Sequence, residues 1–428
     1  MIGNVRGLLM PRYDPLRPMR PLPRPPSPAY PSPAHPARAS YLELDAGALR
    51  HNVEVFRALL GRDAEAGVPR RFGAVLKGNA YGHGFEALLP HVHELVDVLY
   101  VISPLDALAI RAFERRETRA RRQVVVLGAI SPEEALELAE EEIDAVISDP
   151  SCIDITRALQ KAGTRRRLRV HVHLDTGLSR EGFTLDQLPT EAAFLTGSLD
   201  VLEVVGALSH FANTEDVTEQ AFARRQLATF DAGVERLRQL LPAQAPLERH
   251  FAASAPTLVL PEARLDCVRI GISLYGLWPS AETRLSARVV LGDLPELRPV
   301  LSWRCESQLV KWIEPGSYVG YGCTWRAEER TRIAVLPLGY FDGYPRLFSD
   351  RAHVLVNGRR CPVLGRVMMN HIVIDVTRAE PAAPRVLATL LGEDGNARLS
   401  AENLAAWAET IHYELLTRIG PHLERRIV

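Results

Sequence analysis

The sequence predicts an α/β fold, a (β/α)8 barrel of the TIM type followed by a C-terminal β-rich domain. Between about residues 72 and 278, eight short apolar runs are each followed by a helical segment or by a space for one. Eight parallel strands with right-handed crossovers close naturally into a barrel. After Trp278 the helical period disappears, and strand-like runs separated by turn signals replace it.

Composition limits the classes of function. The chain has 428 residues, of which 46% are apolar and 24% charged, so it is long enough for two or three globular domains. Its formal charge of −1 gives no sign of a nucleic-acid surface, and no apolar run is long enough to span a bilayer. These features indicate a small-molecule partner, with no nucleic acid and no membrane.

The five cysteines are scattered, odd in number and never in Cys-x-x-Cys spacing. This pattern argues against a disulfide framework and against a zinc site. It favours a reducing compartment, and we therefore expect a cytoplasmic protein without a bound metal.

Residues 1–39 differ from the rest of the chain, because proline and arginine dominate them. We expect a disordered, polyproline-like tail, or a translation start assigned too early, since no apolar stretch of a secretory signal is present. A proline-rich ligand for a partner protein is the less favoured alternative.

The folded part is expected to begin at Ser40, where residues 40–45 alternate as a strand does. Helical spacing of Leu49, Val53 and Phe56 follows. We assign residues 40–278 to the barrel, with the first strand able to join the β domain instead, and residues 279–428 to the β-rich domain.

The eight barrel strands are expected around residues 72–76, 98–102, 124–127, 145–147, 169–174, 204–209, 249–252 and 267–272. Ser131-Pro-Glu-Glu134 predicts a helix start with a capping box. A doubly wound open sheet is the alternative fold, but its Gly-x-Gly-x-x-Gly fingerprint after a first strand is missing.

Six runs predict strands of the second domain, at residues 301–313, 317–324, 332–338, 353–356, 361–364 and 371–376. Asn357-Gly358 is a strong hairpin signal. Ser400-Ala-Glu-Asn403 predicts the start of a short helix by the same capping logic.

The chemistry is expected around Lys77, which ends the buried run Ala74 to Leu76 and precedes a glycine-rich loop that ends at Gly84. An ammonium at the C-terminal end of a barrel strand lies where α/β proteins carry their reactive groups. The alternative is a lysine that covers apolar surface with its stem and keeps its charge in water.

The residues around Lys77 favour the hypothesis of a reactive lysine. Lys77-x-Asn79-Ala-Tyr81-Gly-His83-Gly resembles the cofactor-lysine signature of the alanine racemase family. The resemblance implies that Lys77 forms a Schiff base with pyridoxal 5′-phosphate and that Tyr81 approaches the phosphate. Gly78 stands where the family usually has alanine.

Further segments resemble the same family in order over residues 40–428. The segment from His173 to Arg180 resembles Lys-x-Asp-Thr-Gly-Met-x-Arg, which implies that Arg180 contacts the substrate carboxylate. Ser209-His210 resembles the segment whose histidine stacks on the pyridine ring, and the turn at Ser254 resembles a phosphate-binding turn.

The segment Val268 to Gly276 implies that Arg269 faces the pyridine nitrogen and that the amides of Gly271 and Ile272 hold the phosphate. Backbone amides at a strand-to-helix turn suit an anion because they donate hydrogen bonds. Val319-Gly-Tyr321-Gly resembles the segment that carries a second catalytic base. Three later segments resemble the substrate channel and the carboxylate-binding elements, namely residues 339–346, 365–369 and 411–413. The resemblance assigns Met369 to the substrate and Tyr413 to the cofactor.

Three residues depart from the family pattern. His173 replaces a lysine that is carbamylated in many members, so that Arg180 must be held by imidazole, an anion or water. Ala253 replaces an asparagine and Asn370 an aspartate. The last two departures leave the main chemistry intact and concern the choice of substrate, whereas His173 is the departure with the greatest consequence because it bears on how Arg180 is held.

The resemblance implies a PLP-dependent isomerase that interconverts L- and D-alanine with two bases, Lys77 and Tyr321, and supplies D-alanine for peptidoglycan. It also implies a homodimer with shared active sites. A racemase of other or broader specificity, for serine, lysine or arginine, stays open. A non-catalytic, PLP-binding regulator is the more distant alternative.

Overall fold

Eight parallel strands form the predicted barrel in this computed structural model, which describes residues 39–62, 70–215, 218–242, 247–380 and 383–428. They are β2 Arg71–Val75, β3 Val98–Val101, β4 Gln123–Val126, β5 Asp144–Ile147, β6 Leu168–His173, β7 Leu202–Leu208, β8 Glu248–His250 and β9 Cys267–Ile270. The tail predicted for residues 1–39 lies outside the described residues except for Ala39.

The strands pair in the order β8-β7-β6-β5-β4-β3-β2-β9. Two backbone hydrogen bonds bring β9 back to the region of β8: Asp266 N–H donates to Arg249 O at 3.1 Å, and Arg269 N–H donates to Ala252 O at 2.9 Å. All eight predicted runs are confirmed as barrel strands. Most of their residues are buried, as expected for strands that are covered by helices on the outside and by side chains within.

The helices are Ala46–Arg62, Phe85–Val92, Pro104–Arg116, Pro132–Glu140, Ile153–Ala162, Leu188–Glu191, Ala221–Leu240, Ser254–Val259, Ala281–Leu291, Ala401–Trp407 and His412–Thr417. The two predicted capping boxes are confirmed. Ser131 Oγ accepts from Glu134 N–H at 3.2 Å, and Ser400 Oγ accepts from Asn403 N–H at 3.3 Å. Each cap satisfies backbone donors that the first helical turn leaves free.

The first strand, β1 Ser40–Leu44, pairs with strands of the β domain. It lies antiparallel to β10 Leu301–Glu306 and parallel to β20 Glu424–Ile427. The chain therefore begins and ends its described part in the same sheet. That sheet has seven strands, which β15 His353–Val356, β16 Arg359–Pro362, β18 Leu387–Asp394 and β19 Ala397–Leu399 complete.

Two smaller sheets complete the β domain. One contains β11 Leu309–Ile313, β14 Thr331–Leu336 and β17 Ile372–Asp375, and the other pairs β12 Tyr318–Val319 with β13 Trp325–Arg326.

Several predicted boundaries in this domain were wrong. The run 301–313 is two strands, because the chain leaves one sheet after Glu306 and enters another at Leu309. The run 317–324 is a two-residue strand followed by a turn, and the run 361–364 begins two residues earlier, at Arg359. β18, β19 and β20 were not predicted.

Within the described part of the chain, no helix has the length and apolar content required to cross a membrane.

Candidate functional site

A cavity of about 620 Å3 opens at the C-terminal ends of the barrel strands. Nine of the eleven predicted site residues line it: Lys77, Tyr81, Arg180, His210, Ser254, Arg269, Gly271, Ile272 and Tyr413. They lie at or shortly after the C-terminal ends of five different strands and, for Tyr413, on the helix His412–Thr417. The barrel topology thus brings together residues that lie far apart in sequence.

The backbone after Lys77 forms a turn of left-handed helix, where the sequence predicted an irregular loop. Gly78, Asn79, Ala80 and Tyr81 all have φ between +53° and +64°. For non-glycine residues this conformation costs about 1–2 kcal/mol each. Asn79 contributes a compensating contact, because its side-chain oxygen accepts from Phe85 N–H at 2.8 Å.

The side chain of Lys77 lines the cavity. Burial between the cavity walls lowers the pKa of the Lys77 ammonium, and the positive charges of Arg180 and Arg269 lower it further, against a smaller opposite effect of Glu181. A larger fraction of the amine is therefore neutral, and a neutral amine can act as a nucleophile or a base.

Tyr81 is packed between two other tyrosines, with ring centroids 5.4 Å from Tyr275 and 6.2 Å from Tyr413. Burial raises the pKa of Tyr81 to about 12, so its hydroxyl keeps its proton. The hydroxyl lies against Gly271, where a Cβ atom would overlap it. Glycine at this position therefore leaves room for the tyrosine at the edge of the cavity.

The segments that follow β8 and β9 lie next to each other and together form a set of hydrogen-bond donors. Ser254 Oγ accepts from Gly271 N–H at 3.1 Å and from Ser273 N–H at 3.4 Å, which leaves the serine hydroxyl proton available as a donor. The N–H of Ile272 makes no hydrogen bond to the described residues. These donors can hold an anion such as a phosphate group.

Arg269 lies almost completely buried beneath the cavity and is held by backbone carbonyls. Its Nη2 donates to Ser209 O at 2.6 Å and to Phe251 O at 3.2 Å, and its Nη1 donates to His250 O and, at 3.0 Å, to His250 Nδ1. Burial lowers the pKa of Arg269. Four of its five N–H groups are used, and within the described chain Nε–H has no acceptor.

His210 is supported from below by Gln226. Gln226 Nε2 donates to His210 O at 3.4 Å, and its Oε1 accepts from Ala212 N–H at 3.0 Å. Burial, together with Arg269, Arg180 and Lys77, lowers the pKa of His210 to about 3. The ring is therefore neutral and can lie against a flat aromatic ligand.

Arg180 is paired with a carboxylate that the sequence analysis did not single out. Its Nε and Nη2 donate to Glu181 Oε1 at 3.1 and 2.7 Å. The same oxygen lies 3.8 Å from Nδ1 of the buried His173. The Glu181 carboxylate is a partner that was not among the three considered for Arg180, which were imidazole, an anion and water. Glu181 follows Arg180 directly in sequence, which was the only signal for it.

Tyr321 and Met369 do not lie in this cavity. Both belong to the β domain, where their side chains are 70% and 54% exposed. Tyr321 lies in a turn with positive φ at Gly320, Gly322 and Cys323. A single chain therefore does not bring the predicted second base to Lys77.

Among the described residues, His, Cys, Asp and Glu side chains form no group that could hold a metal ion. All five cysteines are free, and four of them are buried.

Both halves of the chain match known domain families. Residues 44–279 match the alanine racemase N-terminal domain, and residues 300–427 match the alanine racemase C-terminal domain. Together the two matches cover most of the chain.

Individual proteins agree with these matches. The alanine racemase of Leptospira interrogans serovar Lai is 33% identical over 91% of this chain and 96% of its own length, and that of Symbiobacterium thermophilum is 34% identical over 91% and 97%. Among solved structures, alanine racemase from Streptomyces lavendulae superimposes with a TM-score of 0.79 at 32% identity, over 92% of this chain and 98% of that one. Alanine racemase from Bacillus anthracis with bound L-Ala-P gives 0.80 at 28% identity, over 92% and 96%.

Proposed function

The chain belongs to the alanine racemase family, and on that premise we propose that it interconverts L-alanine and D-alanine, with pyridoxal 5′-phosphate as its cofactor. Lys77 and Tyr321 are the two bases of this proposal. The observation that carries it is the single cavity that Lys77, Tyr81, Ser254 and Arg269 share.

The residues of the cavity fit the parts of this cofactor. Lys77 supplies an amine of lowered pKa for its aldehyde carbon. The Ser254 hydroxyl and the N–H of Ile272 suit its phosphate, because the N–H of Gly271 is already donated to Ser254 Oγ; Gly271 keeps the space beside Tyr81 open. Arg269 retains one N–H, on Nε, for an acceptor such as the pyridine nitrogen.

When bound, pyridoxal phosphate withdraws electrons from the α-carbon of an amino acid and so makes the α-proton removable. Lys77 Nζ takes or returns that proton on one face of the substrate. The hydroxyl of Tyr321 does so on the opposite face, because inversion requires removal on one side and delivery on the other.

Two arginines orient the reactants. Arg180 binds the substrate carboxylate while Glu181 restrains its guanidinium. Arg269, as a cationic donor, leaves the ring nitrogen without a proton. This limits charge delocalisation into the ring and so discourages decarboxylation and transamination.

Chiral chromatography of the purified, cofactor-loaded protein with L-alanine tests the activity. We expect D-alanine to accumulate to an equal mixture, and Lys77→Ala to be inactive until an amine is added in solution. The same assay with L-serine, L-lysine and L-arginine tests the broader specificity that His173, Ala253 and Asn370 leave open. Faster turnover of any of these than of alanine would refute the alanine assignment, and binding of the cofactor without racemisation would support a regulator.

We also propose that two copies of the chain assemble so that Tyr321 of one copy completes the cavity of the other. Tyr321, Phe341 and Met369 are all exposed, and Phe341 N–H donates to Met369 O at 3.0 Å. The two segments lie near each other, since a Cβ atom at Gly320 would lie 3.6 Å from Met368 Cε. Exposed aromatic and methionine side chains on one surface are typical of interfaces.

Mixing inactive Lys77→Ala protein with weakly active Tyr321→Phe protein tests this assembly. After random exchange in an equal mixture, about half of the dimers are hybrids, and each hybrid has one intact site and one site that lacks both residues. About a quarter of wild-type activity should therefore return. No recovery after complete exchange, or a fully active monomer in sedimentation, would contradict shared sites.

In the cell we propose that the enzyme supplies D-alanine for peptidoglycan in the cytoplasm. The free cysteines, including the exposed Cys323, are compatible with a reducing compartment. Fractionation of the native host and a requirement for added D-alanine after gene deletion test this role.

A further inference from the structure

A line of buried polar side chains runs through the barrel from Asp144 on β5 to Arg269 on β9. His171 Nε2 lies 3.2 Å from Asp144 Oδ2, His250 Nε2 lies 2.9 Å from His171 Nδ1, and Arg269 Nη1 lies 3.0 Å from His250 Nδ1. Each of the four residues is at most 5% exposed. Polar groups buried to this degree are costly unless every hydrogen bond is made.

Only one assignment of donors and acceptors is possible along this line. Because Arg269 can only donate, His250 Nδ1 must accept, and its proton must then lie on Nε2. His171 Nδ1 accepts that proton, so the proton of His171 lies on Nε2 and is donated to the Asp144 carboxylate. Both imidazoles are neutral, with Nε2 as donor.

A further proton on either ring would break the line, since two N–H groups would then face each other. Burial, and after it His171 and Arg269, lower the pKa of His250 well below its ordinary value, which is consistent with a neutral ring.

The surroundings leave room for this arrangement. Gly206 on β7 faces His171, and a Cβ atom there would overlap His171 Nδ1. At the far end, Gln123 Nε2 donates to Asp144 Oδ2 at 2.6 Å and Arg169 Nε lies 3.2 Å from Asp144 Oδ1. The carboxylate is thus anchored by groups outside the line.

We propose that Asp144 and His171 are positioning residues, which act through His250 to hold the Arg269 guanidinium with its Nε–H toward the cofactor ring. The negative charge of Asp144 polarises both imidazoles and makes His250 Nδ1 a stronger acceptor for Arg269. The part of this inference that concerns the cofactor depends on the proposed function, whereas the line itself does not.

Nitrogen NMR of histidine-labelled protein, loaded with pyridoxal phosphate, tests the line without an activity measurement. Signals of His171 and His250 are assigned by their loss in His171→Phe and His250→Gln. We expect both rings to carry a proton on Nε2 and none on Nδ1. A proton on Nδ1 of either ring would overturn the directed line.

Three substitutions test the effect on Arg269. His171→Phe removes the acceptor for His250, and we expect kcat to fall on the order of 10-fold, as for loss of other supporting hydrogen bonds, with KM little changed. Asp144→Asn keeps the shape without the charge and should have a smaller effect in the same direction. Arg167→Gln, the control, removes an exposed ion pair with Glu203 that touches no member of the line and should leave kcat within about 2-fold.

The amount of pyruvate formed per racemisation event distinguishes a positioning role of these residues from a general loss of structure in the variants. If Arg269 moves, transamination should increase relative to racemisation in His171→Phe and Asp144→Asn and not in Arg167→Gln. A folded His171→Phe protein with wild-type kcat and product ratio would overturn the proposal; should that variant not fold, Asp144→Asn decides by the same measure. A wild-type protein that racemises nothing would refute the proposed function and leave the NMR result standing.

Discussion

The two proposed bases have very different surroundings at the scale of single residues. Lys77 lies in the cavity, where burial and two arginines lower the pKa of its amine. Tyr321 lies on an exposed turn of the β domain. Their roles should therefore separate when each is replaced alone.

We predict that Tyr321→Phe suppresses exchange of the α-hydrogen of L-alanine more than that of D-alanine. In the proposed mechanism the phenol of Tyr321 serves the face that carries the proton of the L-enantiomer, whereas Lys77 serves the other. The loss for L-alanine should be about 10²–10⁴-fold, the usual effect of a positioned acid or base. Proton NMR of α-deuterium incorporation in heavy water measures it, with Tyr318→Phe on the neighbouring strand as control. Equal exchange from both enantiomers in Tyr321→Phe would favour a single base, Lys77.

A second prediction concerns Glu181, whose carboxylate lies between Arg180 and His173. Glu181→Gln keeps the length of the side chain and removes the charge that restrains Arg180. We expect KM for alanine to increase about 3- to 10-fold with kcat changed less, as for loss of a supporting partner. Steady-state kinetics beside Glu235→Gln, an exposed ion-pair residue, measures this. A decrease of KM would mean that Glu181 competes with the substrate for Arg180.

At the scale of elements, the left-handed turn after Lys77 joins the barrel to the C-terminal end of the chain. Arg425 on β20 donates to Gly82 O at 3.0 Å, and Gly82 packs against the backbone of Leu416. The turn that follows Lys77, the lysine of the proposed mechanism, is thus held in part by residues more than 300 positions away.

Two glycines of this turn allow a matched comparison. Both have positive φ, but a Cβ atom at Gly82 would overlap Leu416 O, whereas at Gly78 it would meet only Thr417 Cγ2 at 3.6 Å. We predict that Gly78→Ala lowers the free energy of unfolding by at most about 1–2 kcal/mol. Gly82→Ala should cost several times more, because backbone atoms must move as well. Urea unfolding measures both, and equal losses would contradict the packing argument.

At the scale of the whole molecule, buried neutral histidines make stability depend on pH. Burial lowers the pKa of His83 from 6.5 to about 4, against weaker opposing hydrogen bonds to Tyr81 and Ala80. The unfolded chain therefore binds a proton below pH 6.5 that the folded chain does not take up until about pH 4. Stability must decrease as the pH falls through this window.

We predict that this one histidine lowers the free energy of unfolding by on the order of 3 kcal/mol between pH 7 and pH 4. His83→Gln should flatten the pH dependence by that amount. It should also be less stable at pH 7, because it loses the ring stacked on Tyr275. Urea unfolding at several pH values tests it, with the less buried His91→Gln as control. An unchanged slope in His83→Gln would contradict the assignment.

Much of the barrel and most of the cavity could be predicted from the sequence. Strand and helix periods are local, and in a parallel barrel any polar residue just after a strand must lie on the same face. Lys77, His210, Ser254 and Arg269 each follow or end such a strand, so their positions along the chain already indicated that they meet.

Only the tertiary structure determined which distant residues contact each other, because no local sequence pattern specifies these partners. The strand β20 and its pairing with β1, the contact of Arg425 with Gly82, and the line from Asp144 to Arg269 join segments that are distant in the chain. The exposed position of Tyr321, away from Lys77, belongs to the same class. Sequence periodicity reports which side of an element is buried, but only the packed chain determines what each buried group meets.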